Sequence, residues 1–152
     1  MPKVDLASLP TYSGPDAVGH IAGELGVYVG RSISGAAGLR ALGANVETLH
    51  PGASSSHRHW HDLTDELVVV LSGTLTLLED AGETPLGPGD IAAFPAGVPN
   101  GHCLRNLSTE PGTFLVVGTR DPRDVCRYAD HDLARQPDGR ITRRDGAPRQ
   151  ER

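Results

Sequence analysis

The segment Gly52–Gly73, GASSSHRHWHDLTDELVVVLSG, decides how the rest of the chain is read. His59 and His61 are separated by one residue. Successive side chains of a β-strand alternate between its faces, so a strand places both imidazoles on one face, roughly 6–7 Å apart. Glu66 follows and opens the apolar run Leu67–Leu71. Two neutral imidazoles and a carboxylate are the donors that chelate a divalent transition metal. The competing reading is a surface cluster, His57-Arg58-His59-Trp60-His61, that binds metal only adventitiously. Asp65 is a second candidate carboxylate, but Glu66 has the parity of Val68 and Val70. His57 shares the parity of the pair and falls outside its spacing, so it is expected beside the ligands or exposed. Trp60 points the opposite way and is expected to pack under a cover.

The run after Glu66 also speaks to architecture. Glu66, Val68 and Val70 share one face, and Leu67, Val69 and Leu71 share the other. Both are apolar apart from Glu66, which predicts a strand covered on both sides. One side would line an interior where Glu66 meets the metal. The other would lie under the N-terminal arm or a second copy of the chain, so a homodimer is expected.

Along the chain, residues 1–24 read as an extended arm, and weak alternation predicts a strand in 26–33. The glycine-rich stretch 35–43 reads as loop. Strands are expected at 44–50, 57–61, 66–71, 74–78, 91–94, around His102–Asn106, and at 114–119. Turns are marked by Pro51-Gly52, Gly73, Glu79–Gly82, Gly87–Asp90 and Pro95–Pro99. A short helix or turn is expected at 122–128, followed by a polar tail of low order beyond about residue 135. Many short strands spaced by turns predict an all-β sandwich or barrel over residues 25–120, with 121–152 as a C-terminal extension.

The chain has 152 residues, enough for one domain with a real core. Nineteen glycines and twelve prolines fit a fold rich in turns. A net charge of −5 argues against nucleic acid as the main partner. All basic residues but Lys3 are arginines, a bias better read as genome composition than as function. Cys103 and Cys126 do not make a disulfide framework; reduced thiols in a cytoplasmic protein are the simpler expectation. The first twenty residues lack the apolar core of a signal peptide, and no apolar run approaches a membrane span.

His59, His61, Glu66 and Gly73 stand at the spacing of the first motif of the cupin superfamily, and the segment resembles it, although Gly52 lies one residue further from the histidine pair than usual. The second motif is matched by Gly89, Pro95, Gly97, His102 and Asn106. Four residues instead of two separate Gly97 from His102, so Asn100 falls at the family's histidine spacing. Tyr128-Ala-Asp130-His131-Asp132-Leu133 and Arg144-Asp145-Gly146 resemble the tail of a group of small bacterial cupins known by fold and not by an established reaction. The resemblance implies a double-stranded β-helix, or jelly-roll, with His59, His61, Glu66 and His102 as metal ligands and Asn106 as a structural hydrogen-bonding residue. Cys103, next to His102, is expected to be a small core residue. Tyr128, Asp130 and His131 would cap the barrel mouth or anchor the tail, the anchor being preferred.

Such a ligand set leaves one or two positions open on a hexacoordinate metal, where a substrate oxygen, water or dioxygen binds. Zn, Fe, Mn, Ni and Cu all suit these donors. The expected function is a metal-dependent enzyme acting on a small molecule, by isomerase, lyase or cyclase chemistry, or by dioxygenase chemistry with iron. The alternatives are a non-catalytic sensor and a structural barrel with a relic site. Glu47, on the strand before Pro51, is the candidate general acid or base.

Overall fold

Alternation in the run after Glu66 becomes strand β4 (Glu66–Ser72), the strand on which the fold is centred. The computed structural model describes residues 3–13 and 25–149. In chain order the other elements are β1 (Tyr28–Ser32), α1 (Ile33–Ala37), β2 (Leu42–Leu49), β3 (His59–His61), β5 (Leu75–Glu79), β6 (Gly82–Leu86), β7 (Ile91–Phe94), β8 (Cys103–Arg105), β9 (Gly112–Thr119), β10 (Cys126–Tyr128), β11 (Ala134–Arg135) and β12 (Ile141–Thr142). They form three antiparallel sheets in the orders β1-β2-β9-β4-β7, β6-β5-β8 and β12-β11-β10-β3. The His59–His102 and Ser54–Arg105 bridges join the two smaller sheets through the β8 segment. The result is an all-β jelly-roll barrel.

Register fixes what faces inward. On β4 the inner residues are Glu66, Val68 and Val70, opposite Gly118, Val116 and Phe114 of β9. Val68, Val70 and Phe114 belong to one buried cluster with Leu49 of β2, Leu75 and Leu77 of β5, and Leu104 of β8. Glu66 ends this apolar row, so the candidate metal face lies at one end of the barrel and the hydrophobic core at the other. Asn106 is buried where its amide donates to the carbonyls of Leu49 and Glu110, and its oxygen accepts from Ser108. It is structural, as the resemblance implies.

Several elements differ from expectation. The start of the glycine-rich stretch is helical: Ser32 accepts from the Gly35 amide and Gly38 ends the turn at φ 67°, so caps at both ends bracket α1. β6 carries no strand signal in the sequence, because it contains Pro85 and polar residues. It is an edge strand, the position where a missing N–H costs nothing. In place of a helix or turn throughout 122–128, a turn at Pro122-Arg123 leads into β10, which pairs with β3 residue for residue. Two more short strands follow in the polar tail. The ladder and ion pairs hold this segment where hydrophobic periodicity is absent: Arg127 grips Asp62 through two bonds of 2.8 Å, and Arg58 binds both oxygens of Asp130. Asp130 is thereby an anchor.

Tyr12 exchanges two backbone hydrogen bonds with Gly30 at the free edge of β1. Its ring lies over that glycine so closely that a Cβ there would stand 2.2 Å from it, which requires glycine. The expected arm continues through residues 14–24, which lie outside the described residues. The outer face of β4 is not covered by the described residues: Leu67 is 38% exposed, Leu71 47%, and Ile91 on neighbouring β7 64%. Among the described residues, no helix is long and apolar enough to cross a membrane.

Candidate metal centre

β3 carries His59 and His61 on one face, as alternation requires. His102 bridges His59 from the neighbouring segment, and Glu66 reaches in from the facing sheet. Nε2 of His102 lies 3.6 Å from one Glu66 oxygen, and Nε2 of His61 lies 3.8 Å from the other. The donor atoms of His59, Glu66 and His102 are all within 4.8 Å of one another. The two extra residues before His102 therefore do not carry it away from His59 and Glu66. Asn100, at the family's histidine spacing, turns aside: its amide donates to Glu79 and its oxygen accepts from the Asp80 N–H. Asp65 is likewise engaged elsewhere, accepting from the Ala96 amide at 2.8 Å.

The hydrogen bonds fix each imidazole. Nδ1 of His61 donates to Asp124 at 2.6 Å, and Nδ1 of His59 donates to the His57 carbonyl at 2.9 Å. Nδ1 of His102 is directed to the Asn100 carbonyl at 3.4 Å. A carboxylate and a carbonyl only accept, so the proton sits on Nδ1 and the Nε2 lone pair is presented inward. His102 is 4% exposed and its Nε2 has no hydrogen-bond partner among the described residues. A buried lone pair without a partner is costly unless something electropositive meets it. Burial, with the neighbouring imidazoles, holds the His59 pKa down to about 4, which keeps the ring neutral and able to ligate. For Glu66, burial acts upward, but the contact with His102 and the surrounding imidazoles bring the carboxyl below its ordinary range. These residues fit a divalent transition metal held by three nitrogens and one or two carboxylate oxygens.

Around the centre, Phe94 stacks on His102 at 3.5 Å between ring centres, fixing the imidazole plane. A cavity of about 330 Å³ extends from His59, Glu66 and His102 past Val68, Phe114 and Leu104 to Glu47. Glu47 shares the inner face with Phe114 and Val70, four residues along the sheet from the Glu66 row. Burial raises its pKa, with the charge of Glu66 adding, while the Tyr12 hydroxyl donates to it at 2.8 Å and acts the other way. Cys103 also lines this cavity; burial pushes its thiol up to about 11, and both cysteines are free. A wider opening of about 700 Å³ reaches His61 and Glu66 from outside and is lined by Arg40, Arg120 and Arg135. Arg120 is tied to Ser34, and Asp121 to Arg123. Among the described residues, the Arg40 and Arg135 side chains make no hydrogen bond or ion pair.

The remaining sequence candidates fall around the site. His57 packs edge-on against His131 and Tyr128. Tyr128 is buried with its ring 6.4 Å from that of His59, so it borders the centre as well as holding the tail. Trp60 lies beneath the Arg144 guanidinium at 5.5 Å, and this is its cover. Sequence reasoning missed Asp124, Cys126 and Arg135. All three lie in the extension, whose Arg, Asp and Pro content shows no period that would place a side chain.

The cupin domain family matches residues 45–118. A sugar phosphate isomerase of the cupin superfamily from Silicibacter pomeroyi is 43% identical, over 98% of this chain and 97% of its own, with a TM-score of 0.91. A protein from Acidithiobacillus ferrooxidans, named only provisionally as a sugar phosphate isomerase, is 31% identical over 83% of this chain and 82% of its own, at 0.72. A polyketide cyclase from Streptomyces resistomycificus shares the fold alone, at 22% identity over 80% of each chain and a TM-score of 0.63. No curated protein matches the chain. The two motifs, the jelly-roll and the first of these likenesses agree: the chain is a single-domain member of the cupin superfamily.

Proposed function

We propose that the protein is a metal-dependent isomerase acting on a small phosphorylated sugar. The observation that carries this reading is the convergence of three Nδ1-anchored imidazoles and Glu66 on one end of the cavity that holds Glu47 at the other. A divalent metal held by His59, His61, Glu66 and His102 supplies Lewis acidity at a carbonyl or hydroxyl oxygen. Glu47 exchanges a proton with the substrate, helped by burial, which brings a carboxyl closer to neutral pH. Val68, Phe114 and Leu104 give the space between an apolar wall. Arg135 lines both the interior cavity and the wide opening, and with Arg40 offers charge to an anionic group of the substrate. The reaction class draws on the likeness to the Silicibacter pomeroyi isomerase, which extends over nearly the whole of both chains.

The test is interconversion of aldose and ketose phosphates by metal-reconstituted protein, with Glu47→Gln alongside. The reading requires turnover of at least one sugar phosphate, reduced by roughly 10²–10⁴-fold in the variant if Glu47 is the acid–base group. Metal-loaded protein that binds sugar phosphates without converting any would move the assignment to a ligand-binding cupin.

A further inference from the structure

Beside His59 and His61 lies a third donor that the metal set above does not use. Cys126 on β10 is the direct antiparallel partner of His61 on β3. Residues directly opposite in an antiparallel pair project from the same face, with Cβ atoms roughly 4.5–5.5 Å apart. Cys126 is therefore on the ligand face by construction. Its Sγ and a ring nitrogen from each of His59 and His61 all lie within 4.8 Å of one another. A second triad of donors, His59, Glu66 and His102, meets the same limit, so His59 belongs to both. The triads are joined again where His61 Nε2 stands 3.8 Å from Glu66. The buried Nε2 of His102, without a hydrogen-bond partner among the described residues, independently marks the adjoining triad, which shares His59, as one built for a ligand.

We propose that Cys126 is a metal ligand through Sγ, completing with His59 and His61 a soft side to the centre. On coordination the S–H bond breaks, a sulfur–metal bond forms, and the proton leaves to solvent with no change of oxidation state. The thiolate takes one of the positions otherwise open, leaving at most one for substrate. It also biases the site, since thiolate favours Zn and Co over Mn, which prefers oxygen donors. In the sequence Cys126 looks inert, because its partnership with His61 exists only through the β3–β10 ladder. The inference rests on the same metal centre as the proposed function, but not on the isomerase reaction.

Cobalt(II) titration of the metal-free full-length protein tests this, read by its near-ultraviolet spectrum and by proton release. The expected result is a thiolate-to-cobalt charge-transfer band that appears with bound cobalt, persists in Cys103→Ser and is lost in Cys126→Ser. Cys126→Ser should still bind cobalt through the imidazoles, releasing about one proton fewer. Its preference for Zn over Mn should fall by tenfold or more, on the order of 1.4 kcal/mol. Cobalt bound by the wild type without that band overturns the proposal and leaves the histidine–glutamate centre standing. Failure of the wild type to bind cobalt at all overturns both. The wild-type spectrum alone decides, so a poorly folding variant does not protect the idea.

Discussion

Strands β3 and β10 lie side by side in one sheet, yet they could hardly differ more as sequence. β3 is His-Trp-His, with two metal donors at strand period. β10 is Cys-Arg-Tyr, set in a tail of arginine, aspartate and proline. The first carries candidate metal donors, and the segment around the second carries what orients and surrounds them: Asp124 behind His61, Cys126 opposite His61, Tyr128 beside His59, and Arg135 of β11 at the opening. The difference teaches that a site's donors can be local in sequence while its support is not. A barrel ended at Arg120 would keep His59, His61, Glu66 and His102 and lose the carboxylate that holds His61.

The largest effect expected of the extension follows from that contrast. Asp124→Asn removes the negative charge behind His61 while keeping the shape, and metal affinity should fall roughly 10–100-fold. Calorimetric titration with zinc measures it; an unchanged affinity would mean that the extension is packing alone. Next is Arg135→Ala, which should raise KM for a phosphorylated substrate about tenfold, as expected for one charge-assisted hydrogen bond, with little change for the unphosphorylated sugar. Equal effects on both would remove Arg135 from anion recognition.

The N-terminal arm gives a finer test. Tyr12 reaches over Gly30 to hydrogen-bond Glu47, an interaction that favours the ionised carboxylate. Tyr12→Phe should therefore raise the Glu47 pKa. If the ionised form is the working base, the acidic limb of the kcat/KM profile moves to higher pH, because activity is lost as pH falls through that pKa. A limb that stays put separates Glu47 from the rate. The smallest effect on chemistry is expected at the outer face of β4 and β7. We propose that Leu67, Leu71 and Ile91 are covered there by a second copy, since their apolar patch is continuous across the two paired strands. Leu67→Glu should convert a dimer into a monomer in sedimentation while leaving bound metal unchanged; a wild-type monomer at micromolar concentration ends that proposal.

Much of the barrel was legible because its strands announce themselves. Val68 and Val70 alternate with outward residues, Pro51-Gly52 and Gly73 punctuate, and His59, His61 and Glu66 combine metal donors with strand parity. Short-range rules suffice there. His102 was harder, because two added residues obscure its spacing, and only the His59–His102 bridge places it. β6 was hidden by Pro85, which an edge strand tolerates. The short helix α1 escaped because its caps, Ser32 and Gly38, act on only one turn. β10–β12 were not legible at all. They are stabilised by ladder bonds to β3 and by arginine–aspartate pairs, and neither leaves a hydrophobic period.

The central claim is that the inward Nε2 atoms and Glu66 hold a divalent metal. Elemental analysis of untagged protein, beside a His59→Ala/His61→Ala variant, tests it most directly. The account predicts about one equivalent of Zn, Fe, Mn or Ni in the wild type and none in the variant, as for a single mononuclear site. Wild-type protein that stays metal-free after reconstitution with each of these ions would contradict it.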